Sequence, residues 1–406
     1  MRAAFMVRST TRVAWPPVSS TKRTWEPQSL SWYDRTADPD IGAEYSASIP
    51  ARVADAALDL PPDIAAQLTT AEEALRQFDA SMSRDLSPYA SLLLRSEAAS
   101  SSQIENLTAS ARSILTAELG ESQRRNAQLI VQNTAAMREA FGSVEVNETS
   151  ILRTHAILLA DEPSQTPGAL RREPVWIGTS SRSPIGAEYV APPAELVGEA
   201  INDLVQFATR DDLPPLAHAA LVHAQFETIH PFTDGNGRTG RALLQTMLRR
   251  RGLTEHAPVP VSAGLLREVD LYFDSLSAFR AGDAALLLTM TANAVHVALD
   301  LGRDLVADLA RIRAHAAASL TVRRGSGTWD ALELAIRRPV LTAKVVAQEL
   351  GKSQANVYRL LDPLLESGFL VESASEVSRA RLYRAPDVLS ALDRFAERAA
   401  RRNPAR

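Results

Sequence analysis

The sequence predicts a mainly α-helical protein that carries one β-hairpin and ends in a small α+β module. Apolar residues recur at helical spacing over most of residues 61–315. In the middle of this region, the β-prone residues 175–177 precede the turn-forming run Gly178–Ser181. After residue 325, three short helical patterns are followed by β-prone residues. These observations favour an α-rich body with a separate C-terminal module.

The first 60 residues mix Pro, Ser, Arg and Trp with little periodicity, which predicts an extended N-terminal arm. Four aromatic residues of this arm are expected to pack on the body: Trp15, Trp25, Trp32 and Tyr45. Pro61 and Pro62 then open an N-terminal helical region, 61–145. Single helices are predicted at 110–141 and 148–159.

The middle domain, 146–315, is predicted to contain the hairpin, whose second strand follows at 188–190. Further helices are expected at 194–207, 214–229, 238–251, 265–278 and 284–314, and Gly252 suits the end of the third. Gly325–Gly327 is a predicted linker to the last domain, 325–406. The order helix, helix, turn at Gly351, helix and strand there is typical of a winged helix-turn-helix.

Composition excludes several classes of function. The chain has 406 residues, a formal net charge of −4 and no cysteine. Disulfides, thiolate zinc sites and a cysteine nucleophile are therefore excluded, and the composition fits a reducing compartment, so we expect a cytoplasmic protein. No run approaches the roughly 18 continuous apolar residues of a membrane span, and we expect no membrane partner.

Residues 230–241 read HPFTDGNGRTGR and carry the chemistry. Gly235 and Gly237 allow a tight turn and a close approach of the backbone to a ligand. A helix that begins after them directs free N–H groups at an anion, to which Asn236 could add its amide. Arg238 and Arg241 are three residues apart on the first turn and could bind polyphosphate oxygens.

Two further residues of this run complete a site for phosphate chemistry. An acid among these cations, Asp234, makes sense as a ligand of Mg²⁺ that bridges the phosphates. A neutral His230 beside a bound phosphate can accept a proton from an incoming hydroxyl. Phe232 is expected to anchor the loop in the core. Together these residues indicate nucleotidyl or phosphoryl transfer.

This run resembles the motif of the Fic family, HPFx[D/E]GNGRxxR, at every defining position. The resemblance implies a helical Fic core and transfer of AMP from Mg²⁺·ATP to a Ser, Thr or Tyr hydroxyl of a target protein. It implies that His230 is the general base and Asp234 the Mg²⁺ ligand. Gly235, Asn236 and Gly237 would hold the α-phosphate, and Arg238 and Arg241 the outer phosphates. The retained Gly237 separates the chain from the phosphate-transferring Doc branch.

Two other stretches resemble features of this family. Gly168–Arg171 followed by 175–178 looks like the family's flap hairpin, whose edge could pair with a target peptide; the alternative is an ordinary surface hairpin. Residues 101–106, SSQIEN, resemble the inhibitory pattern [S/T]xxxE[G/N]. By that resemblance Glu105 pairs with Arg241 and misaligns ATP. The alternative is a helix N-terminus in which Ser102 and Glu105 form a capping box.

Other functions and partners stay open. There are three alternatives to the main hypothesis of AMP transfer. The protein could remove AMP from a modified protein, it could transfer another nucleotide or a phosphate, or it could be a DNA-binding regulator with an inactive Fic pocket. In the C-terminal module, Gln354, Asn356 and Arg359 could face outward from a recognition helix. Arg379, Arg381 and Arg384 could form a basic wing. Contact with DNA and contact with protein are equally compatible with it, and a homodimer would be usual for the family.

Overall fold

The computed structural model describes residues 11–26, 40–82, 87–178 and 182–401. Trp32 of the predicted arm and residues 179–181 of the predicted hairpin turn lie outside this part. The described chain is mainly helical, as the sequence predicts, and contains three small sheets, of which the sheet in the N-terminal arm is not predicted. It forms two compact units. The first comprises residues 1–72, 143–251 and 270–292, and the second comprises 73–142, 252–269 and 293–406.

Helices dominate both units. They are α1 Pro62–Met82, α2 Ala90–Ile104, α3 Ala111–Ala117, α4 Arg125–Gly142, α5 Glu148–Leu158, α6 Ala194–Ala208, α7 Pro215–Ile229, α8 Asn236–Arg250, α9 Val261–Arg267, α10 Val269–Arg280, α11 Ala285–Ser319, α12 Gly327–Arg337, α13 Ala343–Leu350, α14 Gln354–Glu366 and α15 Pro386–Ala400. The strands are β1 Ser19–Thr24, β2 Glu44–Ile49, β3 Trp176–Ile177, β4 Tyr189–Val190, β5 Val340–Thr342, β6 Val371–Ala374 and β7 Arg381–Arg384.

The core of the first unit is α7, in which every residue from Leu216 to Ile229 is buried. Helices α6 and α8 pack against it. Apolar residues occur on all sides of α7, as expected for a helix that is surrounded by other elements, and its buried polar residues include His218 and Glu227. Its C-terminal end, and the N-terminal end of α8 that follows it, are therefore fixed by the packing of the unit's core.

The N-terminal arm is more ordered than the sequence predicts. Strands β1 and β2 pair antiparallel from Ser19 opposite Ile49 to Thr24 opposite Glu44. Strand β1, SSTKRT, is largely exposed and contains no apolar residue, so it lacks the alternation by which a half-buried strand is recognised. Strand β2, EYSASI, does alternate, with Tyr45, Ala47 and Ile49 between polar residues, and the prediction of an extended arm overlooks this signal. Trp15 packs within this unit between Phe207 and Phe279, at ring centroid distances of 5.7 and 5.6 Å.

Two long helices predicted from the sequence are each divided in the structure. The region 110–141 contains α3 and α4, with Gly120 at φ 74° between them. The region 265–278 contains the end of α9 and most of α10. Helical periodicity continues across both breaks, because the residues on each side bury the same kind of apolar face.

The second unit contains the C-terminal segment in the order α12, β5, α13, α14, β6, β7 and α15. The sheet order is β5-β7-β6, with antiparallel pairs. Gly351 ends α13 in the left-handed region, at φ 61°. Ser353 occupies the predicted N-cap position of α14, although its side chain makes no capping hydrogen bond. The winged-helix assignment remains a prediction, and so do the four domain boundaries.

Among the described residues, one helix is long and apolar enough to cross a membrane by length and composition alone. This is α11, with 35 residues. Of its most apolar window, 67% is buried inside the protein, as in the core helix of many soluble proteins. The test is therefore weak evidence for a membrane span.

Candidate active site

Helix α7 ends where His230 turns the chain. The His230 N–H donates to the Phe226 carbonyl at 2.9 Å, and His230 itself has φ 50° and ψ 61°. This left-handed conformation is uncommon for a residue with a side chain, but histidine adopts it more readily than most. The helix therefore stops at His230, and residues 231–235 form a loop that leads directly into α8.

Phe232 anchors this loop in the core, as the sequence predicts. Its side chain is fully buried, and its ring stacks on that of His155. The Asn236 amide closes the loop: Oδ1 accepts from the Phe232 N–H at 2.9 Å, and Nδ2 donates to the Phe232 carbonyl at 2.8 Å. We expected this amide to donate to a bound anion, whereas in the structure it holds the loop. Anion binding by residue 236 then depends chiefly on its backbone N–H.

His155, on α5, supports the same loop from the side. Its Nδ1 accepts from the Gly168 N–H at 3.0 Å, so Nε2 carries the proton and donates to the Asp234 carbonyl at 3.1 Å. Burial lowers the pKa of His155 to about 4, which outweighs the opposing effect of the hydrogen bond to Asp234. The ring is therefore neutral at physiological pH and has its two nitrogens committed to two loops.

Gly235 is required by both conformation and space. It lies at φ 77°, in the left-handed region that glycine adopts without strain. A Cβ at this position would lie 3.0 Å from Leu158 Cδ2 and 3.6 Å from His155 Cδ2. The loop is thus pressed against α5, and no larger residue fits without a shift of one of the two.

Helix α8 begins at Asn236, two residues earlier than the sequence predicts. Gly237 consequently belongs to the first helical turn rather than to the loop before it. The first N–H groups of a helix have no partners within the helix, so they remain available at this end. Arg238 and Arg241 follow on the same short stretch and are 4% and 1% exposed. Two guanidinium groups are thus buried beside the positive end of the helix dipole.

Arg238 carries hydrogen-bond donors that the described protein leaves unused. Its Nε and Nη1 are buried and make no hydrogen bond within the described residues. Its Nη2 lies 3.4 Å from each carboxylate oxygen of Asp234. The Asp234 carboxylate also accepts the Gly235 N–H at 2.6 Å, while its side chain remains 52% exposed. Buried donors without acceptors cost free energy, and an anionic ligand would remove that cost.

This arrangement fits a nucleotide phosphate and an accompanying Mg²⁺. The unused Arg238 nitrogens and the backbone N–H groups at the start of α8 are hydrogen-bond donors suited to phosphate oxygens. No cluster of three or more His, Cys, Asp or Glu that could hold a metal ion occurs among the described residues, and the Asp234 side chain is 52% exposed. Mg²⁺ is commonly held by one or two carboxylates together with substrate phosphates and water. Asp234 is suited to that task.

Comparison with protein families covers much of this region. The model of the Fic/DOC family matches residues 145–248, and that of the Fic/DOC family N-terminal region matches residues 65–142. These two regions of the chain are thus similar to the Fic/DOC family. A Fic family protein from Desulfovibrio desulfuricans G20 has the same fold, with a TM-score of 0.51, 24% identity and coverage of 80% of this chain and 97% of that one.

Curated relatives that match part of this chain are protein adenylyltransferases. The protein adenylyltransferase fic-1 of Caenorhabditis briggsae is 32% identical over 108 residues, which make up 27% of this chain and 20% of that protein. The protein adenylyltransferase Fic of Drosophila willistoni is 29% identical over 158 residues, or 39% of this chain and 29% of that protein. The chain therefore spans less than a third of the length of these relatives.

Helices α7 and α8, which flank the loop 231–235, pack closely against each other. A Cβ on Gly240 would lie 2.4 Å from Glu227 Oε1 and 3.0 Å from Phe226 Cδ1. Nearby on α7, His223 bonds through Nε2 to the Tyr272 hydroxyl at 2.9 Å. Burial, reinforced by the charge of Arg241, lowers the pKa of His223 to about 4.

The predicted hairpin is present as the antiparallel pair β3 and β4, with Trp176 opposite Val190 and Ile177 opposite Tyr189, and its role as a flap remains a prediction. Tyr189 fixes it to the end of α7, because its hydroxyl donates to the Thr228 carbonyl at 2.5 Å. The Arg280 guanidinium lies over the Tyr189 ring at 3.8 Å. On β3, Ile177 is 42% exposed. An apolar side chain is therefore presented to solvent directly opposite Tyr189, the residue that connects the hairpin to α7.

In the second unit, Glu105 lies at the end of a helix. It follows Ile104 as the C-cap of α2, and Ser102 Oγ donates back to the Ala98 carbonyl at 2.8 Å. Asn106 adopts φ 61°, a conformation suited to Asn or Gly after a helix, which explains the last position of the pattern. The capping-box alternative is wrong, since the chain leaves a helix here and does not enter one.

The structure adds three residues that the sequence analysis did not single out as site residues. His155 and Tyr189 hold the loop and the flap, as described above. Arg171, which we quoted only as part of the flap pattern, donates through Nε to the His230 carbonyl at 2.8 Å. Each acts on a residue far along the chain, so only an alignment of related sequences could have indicated them.

Proposed function

We propose that this Fic protein is an adenylyltransferase that moves AMP from ATP to a Ser, Thr or Tyr hydroxyl of another protein. The observation that carries the proposal is the pair of buried, unused Arg238 nitrogens beside the exposed Asp234 carboxylate, at the start of α8. A cation pocket with an adjacent carboxylate suits a metal-bound polyphosphate. The activity named for the curated relatives supports the same choice.

In the proposed reaction the hydroxyl oxygen of the target attacks the α-phosphorus of ATP. A new oxygen–phosphorus bond forms, the bond to the β-phosphate oxygen breaks, and pyrophosphate leaves. His230 accepts the hydroxyl proton. Its left-handed backbone places the residue between the end of α7 and the phosphate loop. Catalysis then depends mainly on positioning and on stabilisation of negative charge.

Each remaining site residue has a proposed part in binding ATP. The backbone of Gly235, Asn236 and Gly237 holds the α-phosphate, and Arg238 and Arg241 hold the outer phosphates. Asp234 would hold Mg²⁺, which neutralises phosphate charge when bound. For this the Asp234 carboxylate gives up its contact of 3.4 Å with Arg238, whose guanidinium turns to the nucleotide.

The flap supplies the proposed docking place for the target. A target segment that pairs with β3 as an added strand would bring its hydroxyl to His230, since β4 is hydrogen-bonded to Thr228, two residues before His230. Backbone pairing of this kind accepts many sequences, and selectivity then falls to contacts with side chains such as Ile177.

We also propose that Glu105 restrains the reaction. By this proposal its carboxylate pairs with Arg241 and occupies the space of the γ-phosphate, so that ATP binds with its α-phosphate out of line. The support is local: Glu105 is an exposed carboxylate at a helix end whose next residue, Asn106, has the backbone conformation that the pattern requires.

For the C-terminal module we propose a docking role, with DNA or with protein. Two of its arginines are already paired: Arg381 with Glu372 at 3.0 Å and Arg338 with Glu349 at 3.1 Å. Such pairs reduce the positive charge available to phosphates. A salt-sensitive gel shift of duplex DNA by the full chain would favour DNA, and its absence would favour protein. A cytoplasmic location and a homodimer remain predictions.

Incubation with labelled ATP and Mg²⁺ tests the proposed activity. We expect label from the α-phosphate to appear on protein with the wild-type chain or with Glu105→Gly, and to be lost in His230→Ala. Label from the γ-phosphate alone would instead indicate kinase-like transfer. Release of AMP from modified protein would indicate the reverse activity. If neither label appears even with Glu105→Gly, the proposal fails.

A further inference from the structure

One buried arginine connects the flap with the backbone of His230. The Arg171 side chain is 3% exposed and makes hydrogen bonds only to carbonyl groups in the described contacts. Nε donates to His230 at 2.8 Å, Nη1 to Glu173 at 3.0 Å and Nη2 to Pro192 at 2.6 Å. The backbone N–H of Arg171 also donates to the Pro231 carbonyl at 3.0 Å.

These acceptors lie at the two ends of the flap and at the start of the loop after His230. Under the proposed function, the relative positions of these segments must be correct for transfer to occur. Glu173 precedes β3 and Pro192 follows β4, so these two residues lie at the ends of the hairpin where it joins the rest of the protein. His230 and Pro231 contribute consecutive carbonyls at the start of the phosphate loop. A guanidinium is planar and its donors have fixed directions, so the carbonyls that it binds, which include that of Ile229 at 3.5 Å from Nη2, have fixed relative positions. Arg171 therefore sets the flap relative to the peptide that carries the imidazole.

We propose that Arg171 is a positioning residue that aligns the target hydroxyl, docked on the flap, with the imidazole of His230. This inference rests on the proposed function, because it assigns the flap to the target. Arg171 acts through the backbone and touches neither the nucleotide nor the target in this account. The Tyr189 hydroxyl makes a second, weaker connection of the same kind, between β4 and Thr228.

The same unit contains a matched arginine remote from this network. Arg251 has a side chain that is 8% exposed and donates to the backbone carbonyls of Arg210 at 2.7 Å and Leu213 at 2.8 Å. It thus binds backbone carbonyls as Arg171 does, at the loop between α6 and α7, and it also pairs with the Asp211 carboxylate at 2.9 Å. Arg171→Lys and Arg251→Lys each keep the charge and lose the fork, so their comparison separates positioning from general stability.

The test compares these variants in the Glu105→Gly background. We measure the rate of α-label transfer to lysate proteins or to the chain itself, and the Kd for Mg²⁺·ATP by fluorescence of a nucleotide analogue. Arg171→Lys should lower the transfer rate about 100-fold, as expected for small errors in alignment, and leave the Kd within about twofold. Tyr189→Phe should lower the rate about fivefold, and Arg251→Lys should stay within about twofold.

Hydrogen exchange provides a readout that does not depend on activity. Arg171→Lys should speed exchange of backbone amides in both 175–177 and 229–232 by about tenfold, whereas Arg251→Lys should leave both protected. If Glu105→Gly transfers label while Arg171→Lys and Tyr189→Phe transfer it equally fast, the inference is overturned. Equal losses in Arg171→Lys and Arg251→Lys overturn it as well. If Glu105→Gly transfers no label, the proposed function fails, and unchanged exchange in Arg171→Lys would then reject the positioning role.

Discussion

The ring of His155 lies parallel to the ring of Phe232, with centroids 3.6 Å apart and planes within 2°. Both nitrogens of His155 are hydrogen-bonded, one to the Asp234 carbonyl and one to the Gly168 N–H. The neutral His155 side chain thus contacts the loop 231–235 at two points: its ring stacks on Phe232, and its Nε2 donates to the backbone carbonyl of Asp234, the proposed Mg²⁺ ligand. Through Nδ1 it also connects that loop with Gly168, which precedes the hairpin strand β3.

His155→Phe should impair nucleotide binding more than its effect on stability explains. The substitution keeps an aromatic ring against Phe232 but leaves the Asp234 carbonyl and the Gly168 N–H without their partner, at roughly 1–3 kcal/mol for each buried group. We expect Kd for Mg²⁺·ATP to rise about tenfold. His218→Phe is the control, since His218 is equally buried and bonds to the Phe207 carbonyl. Equal affinities in the two variants would contradict the assignment.

Acid should destabilise the protein through its buried histidines. Burial lowers the pKa values of His155, His218 and His223 to about 4, from an ordinary value of 6.5. Below pH 6.5 the unfolded chain therefore binds more protons than the folded one. The stability is present above pH 6.5 and is lost as pH falls toward 4, by up to about 1.4 kcal/mol per pH unit for each histidine.

Urea unfolding between pH 7 and pH 4.5 checks this expectation. His155→Phe removes one of the three groups, so the free energy of unfolding of this variant should fall less steeply with acid than that of the wild type. Effects of carboxylates are common to both proteins and cancel in the difference. Parallel pH profiles of the two proteins would show that His155 does not stay neutral in the folded state.

Gly235→Ala should reduce transfer of AMP by at least about tenfold. The residue must keep φ 77°, which costs an L-residue roughly 1–2 kcal/mol, and its new methyl group would lie 3.0 Å from Leu158 Cδ2. Gly42→Ala is the matched control: it has φ 84° and nothing within 4 Å of the added Cβ. Rates measured with α-labelled ATP should fall only in the first variant. A similar fall in both would mean that backbone strain alone, and not the fit of the loop against α5, limits the reaction.

Glu105→Gly should raise transfer by about tenfold or more at matched ATP and Mg²⁺. Removal of the carboxylate removes the proposed competitor for the γ-phosphate space. Glu366→Gly removes an exposed glutamate from the end of another helix, α14, and should leave the rate unchanged. Initial rates for the three proteins give the comparison. Equal rates for Glu105→Gly and wild type would discredit the restraint.

The sequence indicates the helices that bury an apolar face and the loop that carries the chemistry. Helix α7 was predicted within one residue at its start and correctly at its end, and α5 within one residue, because their apolar periodicity is strong and their ends carry capping signals. Strand β1 is not predicted because it is exposed and contains no apolar residue, whereas the short alternation of Tyr45, Ala47 and Ile49 in β2 is a signal that the prediction overlooks. The break near Gly120 was missed because helical periodicity resumes beyond it.

Within the site, the sequence predicts the residues that are expected to bind a ligand. It does not predict the residues that hold those side chains and loops in position. The glycines and cations of 235–241 are contiguous, so their pattern is legible. His155 is 79 positions from Asp234, and Arg171 is 59 positions from His230. Contacts over such separations are set by tertiary packing, which no local pattern encodes. The Asn236 amide illustrates the same limit, because its bonds to Phe232 follow from the way the loop closes.

The most direct test of the central claim is a crystal structure of Glu105→Gly soaked with ATP and Mg²⁺. We predict phosphate oxygens on Nε and Nη1 of Arg238, the triphosphate at the start of α8, and the α-phosphorus as the phosphorus atom nearest the imidazole of His230. A loop that stays empty at saturating ATP, or a nucleotide bound elsewhere with its α-phosphate turned away from His230, would contradict the account.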